Sequence, residues 1–386
     1  MFTSEARDWT CIQTLAFRLL TNAFLQNLPS WFYELGAFGE RKPPAAPAGF
    51  MAESYRAVPQ SFDLPRPAGL SISAREWRLH GALFLLTILT TTLAGMMLVV
   101  SELPSYEPPL AGLLDYLLYV PRGYFHTISD LIRLGLTQPH LIAQGATFSA
   151  ALLAILFSHE MGHYLACRYY KVSATLPYFI PAPPLFLAGT FGAFIKIRSP
   201  IPSRRALFDI GLAGPLAGFV VALPVSVMGL LAMSPGGAPP DHAIFFNDPL
   251  LFRLLAKLLG VPLDPNAPTT PYYMAAWIGL LVTSLNLMPV GQLDGGHGTF
   301  AVFGPRPHRV IARVAFLSMA VLAFLGFWWH HSPSGFLYTL LLAIMMRVPH
   351  PAPAVMEPLG AKRTIVAYLT LLVFILCFWP FPITIT

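Results

Sequence analysis

From residue 81 onward the chain alternates between apolar runs long enough to cross a bilayer and short connections flanked by Lys and Arg. That pattern admits little besides a bundle of membrane helices. Spanning the hydrocarbon core as a helix takes about 20 consecutive apolar residues. This measure predicts helices at 81–101, 145–167, 206–233, 273–300, 310–330, 335–347 and 364–383, the sixth being short. An apolar patch from Leu110 to Val120 is a further stretch that can dip into the membrane. Charged residues make up only 11% of the 386, against 55% hydrophobic, and the mean hydropathy is +0.61. Soluble domains carry roughly 25% charged residues, so this chain has too little polar surface for a water-soluble globule of its size. The expected class is an all-α polytopic membrane protein, with about six to seven transmembrane helices, in a lipid bilayer.

The net charge of +6 does not point to nucleic acid, because the Lys and Arg residues form no long run and mostly flank apolar stretches. With the N-terminus on the cytoplasmic side, 20 of the 24 basic residues fall inside, and Arg122, Arg133, Arg253 and Lys257 fall outside. This is the bias of a positive-inside topology, and it runs the second and fourth helices from outside to inside. The expected location is a bacterial plasma membrane, with the chemistry toward the cytoplasmic face.

Cys11, Cys167 and Cys377 are widely spaced, so neither a disulfide framework nor a CxxC zinc site is expected, and any metal must be held by His and carboxylate. Residues 1–78 hold eight basic and seven acidic residues and the loop-like stretch Lys42-Pro-Pro-Ala-Ala-Pro-Ala-Gly49. They read as a partly disordered cytoplasmic segment, after which Met51 is an alternative start. The charges of Glu5, Arg7 and Asp8, with no sustained apolar run before Arg18, do not make a secretory signal peptide. Targeting then falls to the first spanning helix.

Between the second and third helices, Pro177, Pro181, Pro183 and Pro184 break any helix, and Gly189-Thr-Phe-Gly-Ala-Phe-Ile-Lys-Ile197 follows. Phe191, Ala193, Ile195 and Ile197 alternate with Gly192, Phe194, Lys196 and Arg198, which predicts a strand or a small re-entrant β-hairpin. Its exposed edge offers an extended peptide a place to pair.

The second helix contains Ser158-His159-Glu160-Met161-Gly162-His163. At 3.6 residues per turn His159 and His163 stack on one face, where they can hold one Zn²⁺, and Glu160 beside them can take a proton from an attacking water. Two histidines and a glutamate packed in a polar bundle interior are the bland alternative. Ionisable groups inside a membrane cost roughly 2.5–3.5 kcal/mol each even on the lenient insertion scale, and a divalent cation compensates three of them together.

A third ligand is narrowed by what is missing. Positions 166 and 169 are Ala and Tyr, so the metzincin pattern is absent. The one Glu after Glu160 is Glu357, in a Pro-rich loop. Asp209 and Asp294 remain. Asp294 matches the inferred depth of the histidines, whereas Asp209 follows Arg204 and Arg205 by one turn and suits an interfacial ion pair. His297, three residues after Asp294, is a rival ligand or a supporting donor. Cys167, one turn past His163, reads as packing.

Asp294 sits in Asn286-Leu-Met-Pro-Val-Gly-Gln-Leu-Asp-Gly-Gly-His297, where Pro289, Gly291, Gly295 and Gly296 interrupt the fourth helix. Asn286 and the freed backbone there can bind an extended peptide or polarise its carbonyl. Gly211, Gly214 and Gly218 in Gly211-Leu-Ala-Gly-Pro-Leu-Ala-Gly218 are spaced for close helix packing against the His-bearing helix.

Taken together, HEMGH in one membrane helix and NLMPVGQLDGGH in another resemble the site-2 protease family of intramembrane zinc metalloproteases. The match extends through Gly189-Thr-Phe-Gly192 and Gly211–Gly218, over roughly residues 145–305. The resemblance implies His159, His163 and Asp294 as ligands of one Zn²⁺, Glu160 as the residue that activates water, and Asn286 in substrate contact. It further implies membrane-protein substrates with a transmembrane segment, cut in regulated intramembrane proteolysis. Gly189, Phe191, Gly192 and Phe194 are the expected substrate-binding residues of the hairpin. No inserted PDZ or CBS segment is evident, which is similar to the compact branch. The domain reading is 1–78 as the N-terminal segment, 79–143 as the first transmembrane helix and external loop, 144–305 as the metalloprotease core and 306–386 as C-terminal transmembrane helices. A metal or proton transporter using the same His and Asp groups is the rival from another class.

Overall fold

A computed structural model describes residues 73–100, 113–183, 186, 188–234, 236, 244–264, 266–348, 350 and 353–385. The readings made for residues 1–72, including Lys42–Gly49 and Met51, lie outside the described residues. All of the described structure belongs to the unit Arg66–Thr386.

The first described helix, α1 (Ala74–Val99), opens on a capping box. Ser73 Oγ accepts from the Glu76 N–H at 3.1 Å and Glu76 Oε2 accepts from the Ser73 N–H at 3.0 Å. The other Glu76 oxygen pairs with Arg198 at 2.7 Å, which ties the helix start to the chain beyond the hairpin. The apolar run alone suggested a start near residue 81, because Arg75, Glu76 and Arg78 precede it. The Ser-x-x-Glu signature was the better marker.

A second helix, α2 (Leu113–Thr137), was not predicted beyond its first residues. It carries Asp115 paired with Arg122 at 3.0 Å and His126 paired with Asp130 at 2.8 Å, so its charges broke the apolar run on which the span measure depends. After Gln138 the chain enters α3 (Pro139–Tyr169), which starts on proline and runs for 31 residues. Thr91 of α1 and Ser149 of α3 share a buried hydrogen bond at 2.6 Å, the kind of polar contact that holds membrane helices together.

Strands β1 (Tyr178–Pro181) and β2 (Thr190–Phe194) form the expected hairpin. They are antiparallel, with Tyr178 opposite Phe194, Phe179 opposite Ala193, and a register shift before Pro181 meets Thr190. Gly192 has φ +99° in β2, a conformation that side chains disfavour. The hairpin turn packs against the backbone of Thr90 and Thr91, well inside α1, at Gly189.

Next come α4 (Arg204–Leu231), β3 (Ile244–Phe246) and α5 (Leu250–Leu259). The single fourth helix expected at 273–300 is instead two, α6 (Pro271–Asn286) and α7 (Asp294–Phe303). Pro289 and Gly291 lie in the break, with Gly291 at φ +54°. Gly295 and Gly296 are inside α7 and do not interrupt it. They are small because the first turn of α7 lies on the carbonyls of Leu287, Met288 and Val290. The chain continues through α8 (Pro305–His330), α9 (Ser334–Met345) and α10 (Ala361–Cys377), and β4 (Ile383–Ile385) pairs antiparallel with β3.

Among the described residues four helices, α1, α3, α4 and α8, are long and apolar enough to cross a membrane. With 16, 12 and 17 residues, α6, α9 and α10 are shorter than a full span. The protein is therefore a mostly helical integral membrane protein with a small β-hairpin. Its centre is the packing of α3, α4 and α6, where Phe148, Leu152, Ile155, Phe208, Met274 and Trp277 are buried together. Small residues let these backbones approach: Gly162 lies on the Ala213 backbone and Gly279 on Ile155.

Candidate metal centre

His159 and His163 project from α3 into the space where α3, α4 and α6 meet, and both are buried. Their Nε2 atoms are 3.1 Å apart. Asp294 enters from the first turn of α7 and brings Oδ2 to 3.2 Å from His159 Nε2 and 3.4 Å from His163 Nε2. Three ligands bonded to zinc at about 2.0–2.2 Å and tetrahedral angles stand roughly 3.3 Å apart, so this triangle has the dimensions of a zinc coordination face. Among the described residues this is the group of His, Cys, Asp or Glu arranged to hold a metal ion.

Local folding explains each position. The four-residue spacing on α3 stacks the two imidazoles. The break at 287–293 lets the chain turn so that Asp294 points back toward α3. Gly214 and Gly218 of α4 lie directly against the rings of His163 and His159, and a Cβ at 214 would fall on the His163 ring itself. The close packing expected from the small residues of 211–218 is thus present, and it is what makes room for the imidazoles.

Beyond the ligands, His163 Nδ1 donates to the Ile210 carbonyl at 2.7 Å, which leaves the Nε2 lone pair directed into the triangle. Pro215 supplies no N–H to the Gly211 carbonyl and opens the α4 ladder just past Ile210. Sequence reasoning did not find the Ile210 carbonyl, since a backbone acceptor leaves no residue signature.

Glu160 is buried beside the triangle, on the side of the backbone at Ile195, just past β2. By the alternation of an antiparallel strand, Ala193 turns its backbone polar groups to that same edge, away from β1. The Asn286 side-chain amide ends α6 at 3.3 Å from His159 Nε2. Phe191 and Phe194 are 60% and 45% exposed, with Phe191 near Phe186 and Phe194 stacked on Tyr178.

Other residues singled out in the sequence are not members of the metal-facing triangle. Asp209 takes a two-pronged ion pair from Arg363. His297 bonds His350 at 2.8 Å across the loop after α9, and His350 stacks on Phe300 at 4.1 Å. Cys167 is buried and free. No local sequence pattern singles out Arg363 or His350.

Residues 147–326 match the family model described as peptidase family M50, the family of the site-2 proteases. A rice protein (Oryza sativa subsp. japonica) named "Probable zinc metalloprotease EGY1, chloroplastic" is 38% identical over 160 residues, which cover 40% of this chain and 27% of that protein. Its Arabidopsis thaliana namesake is 37% identical over 160 residues, 40% of this chain and 29% of the relative. The Arabidopsis "Probable zinc metalloprotease EGY2, chloroplastic" is 30% identical over 209 residues, 53% and 35% of the two chains. The matched regions cover about a quarter to a third of the length of these relatives.

Proposed function

We propose that this chain, whose residues 147–326 match peptidase family M50, is an intramembrane zinc metalloprotease that hydrolyses peptide bonds within or near transmembrane segments of membrane proteins. The observation that carries the reading is the triangle of buried His159 and His163 and half-buried Asp294, with a buried carboxylate, Glu160, beside it. Two imidazole nitrogens and one carboxylate oxygen are a donor set suited to a catalytic zinc, which keeps a fourth position open. The zinc-protease names of the relatives agree with it.

When bound, zinc supplies Lewis-acid polarisation of the scissile carbonyl and makes water a nucleophile near neutral pH. The chain's own residues do the rest. His159 and His163 hold their Nε2 atoms toward the ion, and Ile210 fixes the tautomer of His163. The Glu160 carboxylate takes a proton from the attacking water and delivers it to the leaving amine. Asn286 Nδ2 donates to a substrate carbonyl as negative charge develops there. A transmembrane helix hides its carbonyls in internal hydrogen bonds, so the substrate unwinds before cleavage. Its extended segment pairs with the edge of β2 that carries Ala193, while Gly192, with open space beside it, allows the close approach, Phe191 and Phe194 flank it, and Gly189 seats the hairpin turn on α1. Burial excludes bulk water from the centre.

In this reading residues 144–305 are the catalytic core, flanked by the N-terminal segment, the first transmembrane helix with its external loop, and C-terminal transmembrane helices. The short α6, α9 and α10 accompany the four long helices in the bilayer, which brings the bundle to six or seven transmembrane helices. The positive-inside count sets the centre toward the basic side, the cytoplasm in a bacterial plasma membrane and the stroma in a plastid.

The test is reconstitution of the zinc-loaded protein in liposomes with a labelled single-span substrate. Release of a product cut within the span supports the proposal. Zinc or proton flux with an intact substrate would replace it with the transporter reading.

A further inference from the structure

Helix α10 lies beyond the matched region, yet one of its side chains reaches the metal-bearing part of the bundle. Arg363 Nε donates to Asp209 Oδ1 at 2.9 Å and Arg363 Nη2 to Asp209 Oδ2 at 2.6 Å, a two-pronged guanidinium–carboxylate pair. The same Nη2 donates to Tyr170 Oη at 2.9 Å, and the Tyr170 hydroxyl in turn donates to Asp209. Tyr170 is the C-cap of α3, two turns past His163. Asp209 immediately precedes Ile210, the residue whose carbonyl holds His163 Nδ1 at 2.7 Å. Three helices therefore meet at one charged knot, whose α4 member is covalently next to the acceptor that orients a metal ligand.

We infer that Arg363 is a positioning residue for the metal centre: by clamping Asp209 and Tyr170 it fixes the depth and rotation of α4 against α3, and so the Ile210 carbonyl against His163. The inference rests on the proposed zinc site. The geometry suits this role better than simple anchoring of α10. A planar two-pronged pair fixes orientation as well as distance, and α4 needs such a constraint because Pro215 opens its ladder one turn later. Arg205, which donates to the Pro358 carbonyl at 2.9 Å and pairs with Glu357 at 3.7 Å, also ties the C-terminal segment to α4. It has no path of comparable directness to His163, which makes it a control for general loosening.

The experiment is a Co²⁺ titration of metal-stripped, detergent-solubilised full-length protein against a competing chelator, read by the visible absorption of tetrahedral Co²⁺. The variants are Arg363→Ala, Arg205→Ala, and the charge swap Asp209→Arg with Arg363→Asp. Arg363→Ala is expected to weaken Co²⁺ binding by about tenfold or more, the usual cost of losing an outer-shell partner, and to shift the absorption band. The swap should regain most of that loss and the wild-type band, with Arg205→Ala unchanged. Wild-type affinity and band shape in Arg363→Ala would overturn the inference. So would equal weakening in all three variants, since that reports loosening of the C-terminal segment rather than a directed contact. Absence of Co²⁺ binding by the wild type would instead remove the zinc site on which the inference stands.

Discussion

Asn286 closes α6 with its side-chain amide 3.3 Å from Nε2 of His159 on α3, although one residue ends a helix and the other lies deep within one. The amide therefore stands at the rim of the metal triangle without belonging to it. Replacing Asn286 with Ala should leave zinc stoichiometry intact and lower kcat by about a hundredfold, the scale of losing one oxyanion donor. Zinc analysis and cleavage kinetics on the same preparation check this, and loss of zinc would assign Asn286 to metal binding.

Gly214 is small because the His163 ring occupies the space its Cβ would fill. Gly214→Ala should reduce bound zinc and lower the melting temperature, since forcing a methyl into a packed site costs about 1–3 kcal/mol. Zinc content and thermal unfolding in detergent measure both, and a fully zinc-loaded variant of wild-type stability would contradict this account of the glycine.

Ala193 lies on the edge of β2 that turns away from β1. Ala193→Pro removes an outward N–H while sparing those that face β1, so it should reduce cleavage about tenfold or more with zinc retained. Unchanged cleavage would argue against strand pairing with substrate.

Topology has its own test. Cysteines introduced at Ser199 and Arg309 should react with a membrane-impermeant thiol reagent from the basic side alone, in a background lacking Cys11. Position 309 is chosen because Arg309 is exposed, whereas the neighbouring His308 is buried. Labelling of both from the opposite side would reverse the orientation.

These predictions use features of unequal legibility in the sequence. His159, Glu160 and His163 could be located because their spacing matches the helical period, and Asp294 because few membrane carboxylates competed with it. The hairpin showed in the alternation after Gly189. The division of the fourth helix into α6 and α7 was only half legible: Pro289 marked it, but Gly295 and Gly296 suggested a longer break than exists, since glycine serves close packing as readily as it breaks helices. Helix α2 escaped because Asp115, Arg122, Asp130 and Arg133 defeat a measure built on uninterrupted apolarity. The Ile210 carbonyl and the Arg363–Asp209 pair were illegible for a simpler reason, namely that contacts between distant segments are set by tertiary packing and not by local pattern.

The most direct measurement compares wild type with Glu160→Gln, both purified in detergent and assayed side by side for bound zinc and for cleavage of a model transmembrane substrate. The account predicts about one zinc per chain in both proteins and cleavage by the wild type alone, because Gln keeps the shape of the side chain but cannot take the proton. Equal cleavage by the two would contradict it.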